Sequence, residues 1–367
     1  MILTRKELEE NEAKVLAPYA VQSRWTRGRK FEEAEDTQRL PFQKDRDRII
    51  HTRAFRRLKA KTQVFVDHYG DHYRTRLSHS LEVAQVSRDL ARNLGLNEDL
   101  AEAISLAHDL GHTPFGHAGE FALHECLQSY GLHFEHNEQS RRVVEELEQI
   151  YPNHPGLNLS IETLEGLMKH QTSWDNPMGA EEIRPSLEAQ IVNLGDEIAY
   201  QNHDVDDGLR SGLFTEEDLK PMELWQRATE ETERIYGKIE DDKIRFSRTI
   251  SKMIGLMIKD ITVATSERLK TRKIKTLEDV YACKAPLVYF SEPMGQANKK
   301  LKEFLLMRLY YHPEVQSHMM RGQAIIKKLF TEKMKASESK ERAAELRDYL
   351  AGMTDRYAEL QFEQFSL

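Results

Sequence analysis

The sequence predicts an all-α protein, and three observations carry this prediction. Apolar residues recur at helical spacing along most of the 367-residue chain, which has only 11 prolines and 18 glycines to interrupt them. Helix-capping residues stand where apolar stripes begin and end. A β pattern stands out at one place, the run from Thr62 to Val66 that is followed by a turn signal at Gly70. We therefore expect a helical core with a short β-hairpin or extended segment near residues 62–74.

The helical core is expected to contain seven helices before the long C-terminal ones. Gly95 is placed to cap the second at its C terminus, Asn97 to cap the third at its N terminus, and Gly111 to end the third. The predicted helices lie near residues 44–60, 78–94, 97–110, 117–130, 137–150, 161–170 and 186–204, and long amphipathic helices follow from 215 to 367.

Three regions follow from this order of elements. Residues 1–43 form an N-terminal arm, and residues 44–208 form the core that carries the candidate site. Residues 209–367 form a C-terminal helical region that we expect to pack on the core and to supply subunit contacts.

The composition is typical of a soluble globular protein, with 39% hydrophobic and 31% charged residues. No run of about 18 apolar residues is present, so no membrane-spanning helix and no membrane partner are expected. The segment from Met1 to Glu7 has no apolar signal core. Two cysteines, Cys126 and Cys283, are too few for a disulfide framework or a cysteine zinc site. A cytoplasmic location is the expectation.

The net charge of −8 argues against general nucleic-acid binding. The charge is unevenly distributed, because eight basic residues and two acidic ones lie between Lys44 and Lys61. Such a segment is either a solvated helix face or a local anion site. Its position just before His79 favours the anion site, and binding of single-stranded nucleic acid stays an open alternative.

Four side chains on three predicted helices indicate a metal site. His79 lies on the apolar stripe of its helix, His108 and Asp109 lie at the C-terminal end of an apolar helix, and Asp196 follows Val192 by one helical turn. Buried ionised carboxylates are costly unless they are paired or bind a metal. A single cation accounts for all four, although each residue alone could be a hydrogen-bonded core histidine or a capping or surface aspartate.

The same residues resemble the H…HD…D signature of the HD superfamily of phosphohydrolases. The stretch HDLGHTPFGHAGE from His108 to Glu120 is similar to the motif of deoxynucleoside triphosphate triphosphohydrolases, the dGTPase-like branch. Segments 56–65, 134–140 and 195–200 agree with that branch, and the resemblance runs from about Arg24 to Asp207. Past that point no motif carries over.

Two imidazoles and two carboxylates suit a six-coordinate divalent ion. Mn²⁺ or Mg²⁺ is expected first, and Co²⁺, Ni²⁺ or Fe²⁺ also fit, whereas structural zinc prefers thiolates. Such an ion polarises a phosphoryl oxygen and can lower the pKa of bound water.

The resemblance also implies roles for the residues around the metal. His117 with Glu120 is the implied proton-transfer or water-activating dyad, and the spacing of three can place both on one helical face. His112, beside the dyad, and His136 are implied to contact the phosphates. A triphosphate needs cations, and Arg76 matches a family phosphate contact best, while Arg53 is a further candidate. A hydrogen-bonded loop with no catalytic part is the alternative for these histidines.

A sugar site is implied farther along the helix of Asp196. Tyr200 and Asp204 follow Asp196 by four and eight residues, on one helical stripe. The resemblance places the sugar on the ring of Tyr200, with Asp204 and Gln63 bonding the sugar hydroxyl. A ring against C2′ excludes a 2′-hydroxyl and favours deoxyribose. An interfacial aromatic is the alternative for Tyr200.

The implied activity is hydrolysis of a deoxynucleoside triphosphate (dNTP) to the deoxynucleoside and inorganic triphosphate. The family resemblance implies a homo-oligomer with an even number of subunits, either a tetramer or a hexamer. It also leaves open an effector nucleotide. Two alternatives stay open: another HD phosphohydrolase, such as a 5′-deoxynucleotidase or alarmone hydrolase, or a catalytically silent protein that binds nucleotides or single-stranded nucleic acid. The phosphate loop GxxxxGK[ST], the GxGxxG turn and the HExxH pair are absent from the sequence.

Overall fold

The structure is a computed structural model that describes residues 3–63, 74–168, 185–335 and 339–365. The described residues form seventeen α-helices and no strand, which confirms the all-α prediction. The helices are α1 (Arg5–Val15), α2 (Pro41–Ile50), α3 (Arg53–Arg57), α4 (Arg76–Leu94), α5 (Glu98–Ala107), α6 (Gly116–Gln128), α7 (His136–Arg142), α8 (Ile161–Leu167), α9 (Leu187–Ser211), α10 (Glu216–Leu219), α11 (Glu223–Tyr236), α12 (Asp242–Thr271), α13 (Leu277–Ala282), α14 (Glu292–Leu305), α15 (Pro313–Met334), α16 (Lys340–Ala351) and α17 (Asp355–Gln364). Short 3₁₀ turns lie at Ser23–Trp25 and Leu58–Ala60, and π-helical turns extend α7 over Val143–Leu147 and α14 over Leu306–Tyr310.

The caps of α4 and α5 are those that the sequence predicts. Gly95 ends α4 in the left-handed conformation, with φ 67°. The side chain of Asn97 caps α5 by accepting a hydrogen bond from the Leu100 N–H over 3.1 Å. The end of α5 differs from the prediction, since α5 stops at Ala107. From His108 the chain continues as turns, in which the His112 N–H donates to the Asp109 carbonyl.

The single helix predicted over residues 44–60 is two helices, α2 and α3. The Thr52 side chain accepts a hydrogen bond from the Phe55 N–H over 3.0 Å, so Thr52 acts as an N-cap inside the predicted span. A β-branched residue with a side-chain acceptor thus starts a new helix where the apolar spacing alone indicated a continuous one.

The main apolar core forms where α4, α5 and α9 pack together. Val83, Ile104 and Val192 are fully buried there. At Gly195 a Cβ atom would lie 2.4 Å from the Ser87 hydroxyl oxygen, so only glycine permits this approach of α9 to α4. This close contact sets the residue after Gly195, Asp196, beside α4.

A second apolar core joins α6 to the C-terminal helices α15, α16 and α17. Leu123 and Leu127 of α6 are fully buried, as are Leu329 of α15 and Leu350 of α16. The C-terminal helices therefore pack directly on the helix that begins within the HDLGHTPFGHAGE stretch.

The predicted hairpin near residues 62–74 falls mostly on residues 64–73, which lie outside the described residues. At its base, Thr62 and Thr75 form an isolated antiparallel bridge. The hairpin itself stays a prediction. None of the helices among the described residues is both long and apolar enough to span a membrane.

Candidate functional site

The four residues predicted as metal ligands lie together at the junction of α4, α5 and α9. The His79 Nε2 atom lies 2.9 Å from an Asp196 carboxylate oxygen, and the His108 Nε2 atom lies 3.2 Å from Asp109 and 3.6 Å from Asp196. Potential ligand atoms of His79, His108 and Asp109 all lie within 4.8 Å of one another. These three are buried, whereas the Asp196 side chain is 20% exposed, so the cluster opens to solvent on the Asp196 side.

The tautomer of His108 follows from its backbone partner. Its Nδ1 atom lies 2.6 Å from the Ser105 carbonyl oxygen, which can only accept, so Nδ1 carries the proton. The Nε2 lone pair is then directed toward Asp109 and Asp196. Such an outer hydrogen bond is the usual way in which proteins orient a metal-ligating imidazole.

Arg76 completes the cluster as a buried cation. Its guanidinium donates to Asp109 over 2.9 Å. Burial acts to raise the pKa of Asp109, but its neighbours His108, His112 and Arg76 outweigh it and hold that pKa well below the usual range. The cluster therefore offers two imidazole nitrogens and two carboxylates, and the Asp109 carboxylate is ionised. This donor set fits a divalent ion.

A second cluster lies next to the first and is built around Glu120. The Glu120 carboxylate lies 3.1 Å from His117 Nδ1 and 3.0 Å from His136 Nδ1, and it also accepts the His136 backbone N–H over 2.9 Å. Burial acts to raise the pKa of Glu120, but its hydrogen bonds with His117 and His136 lower it well below the usual range. Glu120 is therefore an ionised carboxylate that orients two imidazoles.

The loop before α6 sets this geometry. Phe115 and Gly116 both have positive φ, 61° and 56°, which turns the chain sharply into α6. A Cβ atom on Gly119 would lie 2.0 Å from the Pro114 carbonyl oxygen, so a side chain there would force the turn open. The result places His117, 69% exposed, at the mouth of the cluster with Glu120 beneath it.

His112 joins the two clusters. Its Nδ1 atom lies 3.0 Å from Asp109, and its ring centroid lies 4.0 Å from that of His136. Burial first, and then the charge of Arg76, lower the pKa of His112 well below the usual range, which keeps its imidazole neutral at physiological pH. The metal cluster and the Glu120 cluster are thus adjoining parts of one site.

The residues predicted to bind a sugar lie on α9 and beside the loop. Asp204 is buried, and burial raises its pKa to about 8. Burial raises the pKa of Tyr200 as well. Tyr200 lies on α9 one helical turn after Asp196 and one turn before Asp204. The Gln63 side-chain oxygen is buried and has no hydrogen-bond partner in the described part of the chain.

The basic segment before His79 contributes less to the site than its sequence indicates. Arg53 begins α3 as an exposed side chain, and within the described ranges it has no hydrogen bond or ion pair with either cluster. Arg74 pairs with Asp206 over 2.8 Å, and buried Lys61 donates to the Ala351 carbonyl over 2.9 Å and to the backbone carbonyl of His112. Of the two arginines predicted to contact phosphate, Arg76 lies with its side chain in the metal cluster and Arg53 does not.

Tyr310 and Asp355 of the C-terminal region contact the site, and no sequence pattern indicates either contact. The Tyr310 hydroxyl donates to Asp204 over 2.7 Å. The Asp355 carboxylate accepts the Phe115 backbone N–H over 3.0 Å. Asp355 follows Thr354, and a threonine before an aspartate is typical of the start of a helix. This pattern does not predict a contact with the loop at Phe115. Tyr310 has no local signal at all.

Comparison with known proteins agrees with this architecture. An HD domain matches residues 76–201, and a phosphohydrolase-associated domain matches residues 288–364.

Relatives from three bacteria carry the name deoxyguanosinetriphosphate triphosphohydrolase-like protein. The one from Geobacter metallireducens is 46% identical over 95% of this chain and 94% of its own length. The one from Ralstonia pickettii is 48% identical over 94% of this chain and 92% of its own length. The one from Bordetella pertussis is 46% identical over 94% of both chains. The chain therefore belongs to the deoxyguanosinetriphosphate triphosphohydrolase-like family of HD-domain phosphohydrolases, as the HDLGHTPFGHAGE stretch predicts.

Proposed function

We propose that this protein hydrolyses deoxynucleoside triphosphates to the deoxynucleoside and inorganic triphosphate, in a reaction that depends on a divalent metal. The observation that carries the proposal is the junction at His112, which joins a two-histidine, two-carboxylate cluster to an imidazole pair held by an ionised glutamate. The names of the relatives support the same substrate class.

His79, His108, Asp109 and Asp196 would hold the metal. A divalent ion in that position supplies Lewis-acid polarisation of a phosphoryl oxygen and activation of water. Arg76 adds positive charge beside the cluster, where it both neutralises Asp109 and is available to a phosphate oxygen. His112 and His136, whose ring centroids lie 4.0 Å apart beside the cluster, face the same substrate phosphates in the proposal.

Proton transfer is assigned to His117. Because its Nδ1 atom is hydrogen-bonded to ionised Glu120, Nδ1 carries a proton and Nε2 is left to exchange one with the substrate. In the proposed step the oxygen of a water molecule forms a bond to the α-phosphorus while the bond from phosphorus to the 5′ oxygen breaks. His117 enters this step as an imidazolium, and its Nε2 proton goes to the departing 5′ oxygen. The attacking water loses one proton to solvent, from which His117 is later reprotonated. Glu120 stabilises the imidazolium that precedes the transfer.

The sugar is assigned to Tyr200, Asp204 and Gln63. Asp204 and Gln63 each present a buried oxygen with no partner in the described structure, and such atoms call for a hydrogen-bond partner. A sugar hydroxyl supplies one. Arg53 is left out of this assignment because it is exposed and contacts neither cluster in the residues that the structure describes.

We also propose that the protein assembles with itself through its C-terminal region. Met307, Tyr311 and Met320 are 63%, 57% and 61% exposed there, and exposed apolar side chains favour association. Sedimentation at micromolar concentration tests this, and a monomer alone would contradict it.

The function is tested by incubating the purified protein with each dNTP and either Mn²⁺ or Mg²⁺, and then separating the products by chromatography. Intact triphosphate and deoxynucleoside are expected. Orthophosphate or pyrophosphate would instead indicate another HD phosphohydrolase activity. Binding of dNTPs without any deoxynucleoside would indicate a catalytically silent binding protein.

A further inference from the structure

The Glu120 cluster has the composition and the size of a metal site in its own right. His112, His117, Glu120 and His136 each offer one ligand atom, and these atoms all lie within 4.8 Å of one another. The metal cluster at His79 is equally compact. In the ranges that the structure describes, these two clusters are the groups of histidine and acidic side chains close enough together to share an ion.

The imidazole nitrogens lie around the Glu120 carboxylate as two or more ligands lie around one ion. The carboxylate oxygens are 3.0 and 3.2 Å from Nδ1 of His136, and one of them is 3.1 Å from Nδ1 of His117. Zinc bonds to nitrogen and to carboxylate oxygen are about 2.0–2.2 Å long, which separates neighbouring ligand atoms by about 3–3.4 Å. A cation bonded to both Nδ1 atoms and to Glu120 therefore fits in place of the Nδ1 protons.

The ligand types favour Zn²⁺ over Mg²⁺ and Mn²⁺. Mg²⁺ prefers oxygen ligands and keeps several waters, whereas imidazole suits zinc, and nitrogen sites generally bind Mn²⁺ least among the first-row divalent ions. The Glu120 cluster has three imidazoles for one carboxylate, while the metal cluster has two for two. Glu120 is ionised, because its hydrogen bonds with His117 and His136 lower its pKa, so an ion need not displace a proton from it. The nearby Arg76 guanidinium is paired with Asp109.

An ion can reach the Glu120 cluster from solvent. The side chain of His117 is 69% exposed, whereas those of Glu120 and His136 are 16% and 12% exposed. The backbone N–H of His136 donates to Glu120 over 2.9 Å, which fixes the start of α7 against α6. The ligands are thus held in place before any ion binds, and the side at His117 is open.

We propose that the Glu120 cluster is a second metal site, which binds Zn²⁺ and thereby inhibits the enzyme. Binding of Zn²⁺ is independent of the proposed function, whereas inhibition rests on it, because it concerns the proton that His117 transfers. The proposed reaction needs His117 as an imidazolium, with a proton on each ring nitrogen. A ring bonded to Zn²⁺ through Nδ1 holds a proton on Nε2 alone, so it cannot form an imidazolium to protonate the departing 5′ oxygen. With Mn²⁺ or Mg²⁺ alone the cluster stays free.

Binding is measured by equilibrium dialysis of the full chain against Zn²⁺, followed by elemental analysis. The wild type should hold two zinc ions per chain, and His136→Gln and His79→Gln should each hold one, because each variant removes a ligand of a different cluster. His117→Gln is a second variant of the Glu120 cluster, and its exposed side chain makes misfolding a poor explanation for lost zinc. His133→Gln is the matched control and should keep both ions, since His133 also lies beside a glutamate, at 2.7 Å, but is 64% exposed.

Inhibition is measured on the wild type loaded with Mn²⁺, by following dNTP hydrolysis as Zn²⁺ is added. Turnover should fall by about 100-fold or more, the contribution expected of general acid–base catalysis. Elemental analysis of the inhibited protein should still find Mn²⁺, and dialysis against Mn²⁺ without Zn²⁺ should restore turnover.

A wild type that holds a single zinc ion, or His136→Gln and His117→Gln proteins that hold as much zinc as the wild type, would overturn the second site. Zinc bound at the Glu120 cluster without slower hydrolysis, or inhibition only when Mn²⁺ is lost, would overturn the inhibition. Failure to release deoxynucleoside from any dNTP with Mn²⁺ or Mg²⁺ alone would instead overturn the proposed function, and the zinc content of the variants would still decide whether the second site exists.

Discussion

The Oδ1 atom of Asp355, in the first turn of α17, accepts a hydrogen bond from the backbone N–H of Phe115 over 3.0 Å. Its Oδ2 atom accepts the backbone N–H of Thr62 over 2.9 Å and the Thr62 hydroxyl as well. Phe115 lies between His112 and His117, and Thr62 precedes Gln63. A single buried carboxylate of the C-terminal region therefore holds two backbone segments that carry candidate site residues.

Asp355→Ala is expected to weaken both the fold and the activity. The substitution leaves two backbone N–H groups without their acceptor, and a buried unsatisfied donor costs about 1–3 kcal/mol. We expect the free energy of unfolding to fall by about 2–4 kcal/mol and kcat to fall with it, while metal content per chain is unchanged. Denaturant unfolding, steady-state kinetics and elemental analysis measure the three quantities.

The control for that experiment is Asp242→Ala, at a side chain that is 68% exposed. It should change the free energy of unfolding by less than about 0.5 kcal/mol. An Asp355→Ala protein as stable and as active as the wild type would show that the loop keeps its shape without this carboxylate.

Gly322→Ala tests the packing of the same loop against α15. A Cβ atom at Gly322 would lie 2.7 Å from the Phe115 Cβ atom, too close for both to stay in place. Because Phe115 sits in the turn that sets His117 and Glu120, we expect kcat to fall by about 10-fold or more with metal content retained.

Gly255→Ala is the matched control, since Gly255 also lies within a long helix and no atom lies within 4 Å of its added Cβ. There alanine should raise the free energy of unfolding by about 0.5–1 kcal/mol through its better helix propensity. Equal kcat in Gly322→Ala and the wild type would mean that the position of Phe115 does not control the catalytic loop.

The contrast between these contacts and the metal cluster shows what could be predicted from the sequence. The sequence predicts that the four metal-site residues converge, because they lie near apolar residues at helical spacing and because their order matches a family signature. These residues are His79, His108, Asp109 and Asp196. The Asp355–Phe115 and Tyr310–Asp204 contacts span 240 and 106 residues. No periodicity links residues so far apart, so only the packing of α14 to α17 on the core reveals them.

Local conformation limited the prediction in a similar way. The break between α2 and α3 depends on the Thr52 side chain, which accepts a hydrogen bond from a backbone N–H. A threonine can either do this and start a new helix or lie within a continuous one, and the apolar spacing does not distinguish the two. The helix predicted over 137–150 is α7 followed by a π-helical turn, because the end of that segment departs from regular hydrogen bonding. The family resemblance favours Arg76 over Arg53 as a phosphate contact, but only the tertiary structure shows that Arg76 is buried and Arg53 is exposed.

Asp204→Asn should raise stability at alkaline pH and weaken substrate binding. Burial raises the pKa of Asp204 from 3.8 to about 8 in the folded protein. Between these two pKa values the Asp204 carboxyl is ionised in the unfolded chain but still protonated in the folded chain. This carboxyl therefore lowers the free energy of unfolding as pH rises toward 8, and it lowers it no further above pH 8. Asparagine cannot ionise, so the variant should melt at a higher temperature than the wild type at pH 8–9, and the difference should shrink toward pH 4.

Melting curves of both proteins across that pH range, with KM for a dNTP at neutral pH, measure the two effects. Glu240→Gln, at a side chain 80% exposed, is the control for the loss of one acidic group. A difference in melting temperature that stays constant from pH 4 to pH 9 would show that Asp204 does not carry the pH dependence.

Asp109→Ala and Glu120→Gln should separate metal binding from proton transfer. Asp109 is a proposed ligand and the partner of Arg76, so its removal leaves that buried cation unpaired, and we expect loss of both metal and turnover. Glu120 contacts the imidazoles of His117 and His136, so glutamine keeps the shape but loses the charge that orients them. Glu120→Gln should retain metal and lower kcat by about 10²- to 10⁴-fold, the usual contribution of general acid–base catalysis.

The surface pair of His133 and Glu138 provides a matched control for Glu120→Gln. Its nitrogen and oxygen lie 2.7 Å apart, as close as the atoms in the Glu120 cluster, but both side chains are more than half exposed. Exposed ion pairs contribute about 0–1 kcal/mol, so Glu138→Gln should leave metal content, kcat and the pH dependence of kcat unchanged. Each variant replaces a carboxylate that is hydrogen-bonded to a histidine with an amide. A loss of kcat in Glu120→Gln alone would therefore be due to the position of Glu120 beside the metal cluster. Loss of metal in Glu120→Gln would instead show that Glu120 is part of the metal site. The metal ligands and the proton-transfer residues would then not be separate groups, as the proposed reaction requires.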